Sequence, residues 1–343
     1  MKTTLLAATA LTVLAVPASA RSVTDIYTSY YAFGDSLTDD GKLGALEAPS
    51  LEGRFSNGRV YAEFIADEFA NAGLDTGNLA LGGATAGDTN LLSTEALATF
   101  GGQVDVFQGS FLSGAPLPIQ VLPTLTFGLE PPVPGENPLV SVLFGANDIF
   151  QGGNPFEAAD AVADNIRDLA STPGGAFDDF LVLNLPSFAN IPAFAGNEAN
   201  GFAVTAAFNG QLAANILELE DEGLNIISFD TDGVFQRLLD DIDLGGTEFG
   251  ILDGTTPCTV SISANLDPLF SNPFNCVEQG IDPNTLLFVD SVHPNAVAQA
   301  LVGSELLSIL DAEVAPVPLP AAAPLYLLAL TGMGVVARRR RSR

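Results

Sequence analysis

Six short apolar runs, each closed by turn residues, constrain this chain more than any other feature. They are "IYTSYYAFG" (Ile26 to Gly34), "NLALGG" (from Asn78), "PLVSVLFGA" (Pro138 to Ala146), "FLVLNLP" (Phe180 to Pro186), "LNIISFD" (Leu224 to Asp230) and "LLFVD" (Leu286 to Asp290). Runs this short and this apolar suit strands buried on both faces. Between them lie patterns of helical period. "RVYAEFIADEFANAG" puts Tyr61, Phe64, Ile65 and Phe69 on one stripe and ends at Gly73. "NPFEAADAVADNIRDLA" opens with Asn154 as a cap and Pro155 at the first helical position. Further helices are expected from Glu198 to Glu222 and from Pro294 to Asp311. Alternating strands and helices with doubly buried strands predict an α/β fold: a three-layer α/β/α sandwich with a central parallel sheet. Two stretches break the rhythm. Residues 101–138 are rich in Gly and Pro, and residues 243–284 hold both cysteines with little periodicity. Both read as long loops, which inside a compact domain are usually functional or mobile.

The ends of the 343-residue chain read as address labels. "MKTTLLAATALTVLAVPASA" has one Lys, an apolar stretch and Ala18-Ser19-Ala20, the pattern of a signal peptide over residues 1–20. At the other end, 19 uncharged residues from Leu319 to Ala337 precede five arginines and a serine. That length can just span a bilayer, with the arginines on the cytoplasmic side. A plain tail anchor is one reading. The segment 315–343, opening near "VPLPA", also resembles the PEP-CTERM class of bacterial sorting tails. That resemblance implies an exosortase-type processing enzyme as a partner, transient membrane contact through residues 319–337, and an extracellular or cell-surface destination in a Gram-negative bacterium. One folded domain is expected over residues 21–314.

Charge narrows the partners. There are 12 basic and 41 acidic residues, a net charge of −29. Setting aside Lys2 and the five terminal arginines leaves 6 basic against 41 acidic, or −35. Such a surface repels nucleic acid and anionic headgroups. Cys258 and Cys276 are the only cysteines, and in an exported chain they suggest one disulfide, with two free thiols as the alternative. A zinc site is disfavoured because the chain has one histidine. "DTDGVFQRLLDDIDLGG", from Asp230, spaces its aspartates but lacks the closing glutamate of a calcium loop, so those residues read as solvated acid.

Ser36 stands at the end of the first apolar run, in "YAFGDSLTDD". It could be a helix cap or a nucleophile, and a serine hydroxyl needs a base to be the latter. His293 is the single candidate, in "VDSVHPNAVAQAL". Asp290 lies three residues earlier, close enough to turn back onto the ring and hold its tautomer. Strand ends at the carboxyl edge of a parallel sheet are where such folds bind ligands, so Ser36 and His293 could share one edge. Donors for a developing oxyanion are also at hand: the backbone N–H groups of Ser36 and Gly83 and the side-chain amide of Asn147. Each has a plain structural alternative as a cap or turn residue.

Taken in order, "FGDSLTD", the glycine of "NLALGGAT", "GANDIF" and "DSVHP" resemble the sequence blocks of the SGNH/GDSL esterase and lipase family, and "GRFSNGRVYAEFIADEF" resembles a segment of its lipase-like members. The resemblance runs from about residue 28 to 312. It implies Ser36 as nucleophile, His293 as base and acid, Asp290 as its orienter, and Ser36, Gly83 and Asn147 as the oxyanion hole. It implies a flavodoxin-like sandwich and a reaction needing no metal or other cofactor. The expected substrate is an ester, whether short- to medium-chain lipid, aryl, or acetylated polysaccharide. A non-catalytic surface protein on the same scaffold is the alternative of another class.

Overall fold

The computed structural model describes residues 22–314, apart from 45, 47, 123–124 and 260–274. The expected signal peptide and sorting tail lie outside the described residues. Seven strands are present among those described: β1 (Ser29–Gly34), β2 (Asp75–Asn78), β3 (Leu117–Leu122), β4 (Leu125–Leu129), β5 (Pro138–Leu143), β6 (Asp179–Leu183) and β7 (Asn225–Phe229). Five form one sheet in the order β2-β1-β5-β6-β7. Every neighbouring pair in it is parallel. The helices are α1 (Tyr61–Asn71), α2 (Phe100–Ser113), α3 (Ala146–Phe150), α4 (Pro155–Ala170), α5 (Glu198–Asp221), α6 (Thr231–Asp243) and α7 (Ala296–Val314). Helices α1, α6 and α7 pack together as one layer, and α2, α4 and α5 as the other.

Side-chain alternation on β1 shows why the layers form. All six residues of β1 are buried, as are all six of β5. Tyr30 stacks on Phe69 of α1 at 5.7 Å. Its neighbours Tyr31 and Phe33 turn the other way, onto Phe107 of α2 at 4.9 and 5.4 Å. A period of two thus sends successive residues to opposite helix layers. Helix α1 buries Tyr61, Ile65 and Phe69 of the expected stripe, while Phe64 is half-buried. Asn154 caps α4 by accepting the Phe156 N–H at 3.0 Å.

Three expectations need correction. Residues 101–138 are not a long loop: they hold most of α2 and the antiparallel β3–β4 hairpin. Gly101, Gly102 and Gly109 lower the helix propensity of "FGGQVDVFQGSFLS", but burial of Phe100, Val104 and Phe107 overrides it. The run Leu286–Asp290 makes only isolated bridges, Asp253 to Leu286 and Phe288 to Pro294, and does not join the sheet. Strand β2 ends at Asn78, where the predicted "NLALGG" strand begins; the following residues still run beside β1, with the Leu79 and Leu81 N–H groups donating to the Ala32 and Gly34 carbonyls at 2.8 and 3.2 Å. The aspartate-rich stretch from Asp230 is the helix α6, whose first turn Asp230 caps through the Gly233 N–H. Asp241 near its end accepts the N–H groups of Glu248 and Phe249.

The strand order has a functional consequence. The chain moves from β1 outward to β2, then returns to lay β5 on the opposite side of β1. Connections therefore leave the carboxyl ends of β1 and β5 in opposite directions and open a crevice between them. Gly34 of β1 lies level with Leu143 of β5, so the segments that follow both strands face that crevice.

Candidate active site

Ser36 lies two residues past the end of β1 and is 7% exposed. The Thr38 and Asp39 N–H groups donate to the Asp35 carbonyl at 3.1 and 3.0 Å, closing a single tight turn around it. No helix follows, and the Leu37 N–H is taken by the Asp35 carboxylate at 3.0 Å. Ser36 is therefore not a helix cap. Its Oγ lies 2.7 Å from His293 Nε2.

His293 reaches this point from a compact turn rather than from a sheet strand. The Val289 N–H donates to the His293 carbonyl at 2.9 Å. Asn295, fully buried, donates its amide to the Leu286 carbonyl at 2.8 Å and accepts the Ala298 N–H at 2.9 Å, tying the turn to the start of α7. Asn57, from the "GRFSNGR" segment, accepts the Ala296 N–H at 2.7 Å. The Phe55 ring rests 4.9 Å from the imidazole, centroid to centroid. His293 Nδ1 lies 2.8 and 2.9 Å from the two oxygens of Asp290. A carboxylate can only accept, so Nδ1 carries a proton and, in the neutral ring, Nε2 accepts from the Ser36 hydroxyl. Burial pushes the Asp290 pKa up, but the neighbouring His293 ring and the N–H groups of Val292 and His293 outweigh it and hold the carboxyl below its ordinary range.

The other two expected donors flank Ser36. Gly83 has φ +85°, and a Cβ built there would meet nothing within 4 Å. The backbone conformation, not crowding, therefore selects glycine. Asn147 lies in the first turn of α3, past the end of β5, and its amide donates to the Ala84 carbonyl at 2.9 Å. A 3.4 Å contact from the same nitrogen to Asp35 Oδ2 is at the long limit for a hydrogen bond. Gly145 just before it, at φ +111°, packs so tightly that a Cβ would sit 2.3 Å from the Phe208 ring. Ser36, Gly83, Asn147 and His293 line one cleft of about 190 Å³, whose remaining wall is largely apolar and includes Phe55, Leu92, Phe150, Pro186, Phe188 and Ile191.

Three aspartates and a glutamine that the sequence did not single out hold these loops in place. Asp39 accepts the Gly82 N–H at 2.8 Å, joining the turn after Ser36 to the loop carrying Gly83. Asp148 accepts the Ala86 and Gly87 N–H groups at 2.8 and 2.9 Å, joining that loop to α3. Asp35, buried next to Ser36 in the chain, accepts the Leu37 N–H at 3.0 Å. Burial raises the pKa of all three, in the case of Asp35 to about 7. Their positions beside Ser36 and Asn147 in "GDSLTDD" and "GANDIF" were the available signal. Gln103 had none: from α2 it accepts the Gly34 N–H at 3.1 Å and donates to the Gly34 and Leu97 carbonyls at 2.8 and 3.0 Å.

The segment 101–138 does not border the mouth of this cleft. Its hairpin instead walls a separate cavity of about 320 Å³ at the β2 edge, between Tyr31, Asp75 and Phe127. Cys258 and Cys276 are joined by a disulfide, with Cα atoms 4.7 Å apart. The Cys258 and Thr259 N–H groups donate to the Phe288 and Val289 carbonyls, each at 3.0 Å, so this crosslinked loop braces the chain leading into Asp290.

A family model described as GDSL-like lipase/acylhydrolase matches residues 30–306. A phosphatidylcholine-sterol acyltransferase of Aeromonas hydrophila is 29% identical over 325 aligned residues, covering 82% of this chain and 89% of its own. Among solved structures, an aryl esterase of M. smegmatis matches with a TM-score of 0.45 at 14% identity, over 83% of this chain and 99% of that one. A carbohydrate acetylesterase of Sinorhizobium meliloti matches with a TM-score of 0.44 at 16% identity, over 83% and 99%.

Proposed function

Because the chain belongs to the GDSL-like lipase/acylhydrolase family and is a carboxylic ester hydrolase, we propose that Ser36, His293 and Asp290 are its catalytic residues. The observation that carries this is the continuous path from Ser36 Oγ to His293 Nε2 and from His293 Nδ1 to the buried Asp290. Ser36 attacks the ester carbonyl while His293 takes the hydroxyl proton, and Asp290 stabilises the imidazolium that forms. The oxyanion is received by the Ser36 and Gly83 N–H groups and the Asn147 amide, each such donor lowering the barrier by about 3 kcal/mol. His293 then protonates the leaving alcohol, and water, activated by the same ring, releases the acid from Ser36.

The substrate proposed is an acyl ester with a short- to medium-length apolar chain. The apolar wall formed by Phe55, Leu92, Phe150 and Phe188 supports an acyl tail over an acetylated sugar. The name of the Aeromonas relative supports a lipid acyl donor, and its acyltransferase designation raises an alcohol as an alternative acyl acceptor to water. We extend the proposal to export, with residues 1–20 as leader and 315–343 as a processed sorting tail. Mass spectrometry of the secreted protein should find an N-terminus at Arg21.

The test compares the protein with its Ser36→Ala variant on p-nitrophenyl esters of rising chain length and on acetylated xylan. The variant should lose about 10⁴-fold or more in kcat, and butyrate or longer esters should outpace acetate. A Ser36→Ala protein as active as its parent would overturn the catalytic assignment. Preference for acetylated xylan would replace the lipid reading with a polysaccharide acetylesterase.

A further inference from the structure

The loop between Gly83 and Phe100 holds two large apolar side chains in solvent: Leu91 is 72% exposed and Leu92 75%. The loop is firmly held. Asn90 accepts the Leu92 and Ser93 N–H groups at 2.9 and 3.1 Å, and its amide donates to the Gly83 and Ala98 carbonyls at 2.8 and 2.7 Å. The Leu91 N–H donates to Gln151 Oε1 at 2.6 Å. The tip is thus fixed to both walls of the cleft, to Gly83 on one side and to the residue following α3 on the other. Leu92 also lines the cleft beside Ser36 and His293. So does Phe150, 40% exposed and stacked on Phe188 at 5.0 Å. The exposed leucines are therefore continuous with the apolar interior of the site.

We propose that Leu91 and Leu92 dock the protein onto a zwitterionic lipid surface, so that an acyl ester enters the cleft from the lipid layer without crossing water. This rests on the acyl-ester reading of the cleft. Charge selects the occupant. No Lys, Arg or His occurs from residue 60 to 166, while Asp88 and Glu95 flank the tip. A tip flanked by carboxylates and supplying no cation of its own gains nothing from anionic headgroups, and a second copy of the same acidic loop would be repelled. Paired leucines on a rigid tip suit insertion at the headgroup–acyl boundary.

The chain contains no tryptophan, so Leu91→Trp makes a reporter specific to this loop, whatever other segments of the chain bind lipid. Leu244→Trp is the control. It replaces a residue 77% exposed just past the far end of α6, at the sheet edge opposite the cleft. With phosphatidylcholine vesicles, the Leu91→Trp indole should shift to shorter wavelength. Brominated acyl chains should quench it about twofold, as for a side chain roughly 5–10 Å below the headgroups. The control should not respond, and adding Leu92→Ser to Leu91→Trp should diminish the quenching. Phosphatidylglycerol vesicles at low salt should quench less.

Absence of quenching, or equal quenching of the control, overturns docking by this loop. Equal or stronger quenching by phosphatidylglycerol overturns the zwitterionic assignment. An emission already blue-shifted without lipid, or one that shifts with protein concentration, means that the chain itself or a second copy covers the tip, and the proposal fails. Hydrolysis of soluble p-nitrophenyl butyrate by the parent separates the two readings. Turnover without quenching removes the docking surface alone, and quenching without turnover removes the catalytic assignment alone.

Discussion

Asp35 separates Ser36 from β1 and carries the unusual ionisation of the site. Its carboxyl is pushed up to about 7, first by burial and further by the charge of Asp148, against the opposing pull of the Leu37 N–H and His293. Between about pH 4 and 7 the native protein therefore binds more protons at this position than the unfolded chain does. Stability falls as pH rises through that window, and the loss persists above it. Asp35→Asn removes the ionisation, so the variant should gain on the parent between pH 4 and pH 8 by up to a few kcal/mol. Urea unfolding of both proteins at the two pH values measures this; a stability difference independent of pH would show that Asp35 does not titrate there. Ser36, His293 and Asp290 were legible as a set because the chain has one histidine and one carboxylate three residues before it. Asp39 and Asp148 were not, since their partners are backbone N–H groups on a loop more than forty residues away in one case and about sixty in the other.

At the level of elements, α2 matters more than its composition suggested. Its Gln103 is buried and uses both ends of its amide on Gly34, two residues before Ser36. The helix therefore sets where β1 ends and where the turn carrying Ser36 begins. Gln103→Leu keeps the volume but abandons three buried hydrogen bonds, and should lower stability by about 3 kcal/mol or more. Loss of kcat should exceed the change in KM, because the displaced group is the hydroxyl proposed as nucleophile. Denaturant unfolding and steady-state kinetics on the same preparation check both. Unchanged stability with unchanged kcat would mean that the Gly34 clamp is redundant. The β3–β4 hairpin, by contrast, lies at the sheet edge away from the cleft, so length and Gly/Pro content alone did not reveal which irregular segments serve the site.

On the whole molecule the acidic excess dominates. Among the described residues, Lys42, Arg54, Arg59, Arg167 and Arg237 each already pair with a carboxylate. The chain as a whole still carries a net −29. Self-repulsion of this kind is screened as the Debye length shrinks from about 30 Å at 10 mM salt to about 3 Å at 1 M. The melting temperature should accordingly climb with sodium chloride over that range. A flat or falling curve in a calorimeter would show that the surface acids do not strain the native state.

What the amino-acid sequence determined by itself was the parallel α/β architecture and the set of serine, histidine and aspartate that the fold brings together. Hydrophobic period is a local property, and so are the Asp290–His293 spacing and the turn after β1. Tertiary structure decided what depends on through-space neighbours. It excluded Leu286–Asp290 from the sheet, because that run bonds to the disulfide-braced loop instead of to β7's free edge. It made a helix of a glycine-rich stretch through burial of its phenylalanines. It brought Gly83 and Asn147 to Ser36 through carboxylates whose hydrogen bonds span distant segments. It also left Leu91 and Leu92 outside the core, at the mouth of the cleft, where apolarity alone would have placed them inside. Periodicity records which face of an element avoids water; only the packed chain specifies which elements remain to cover it.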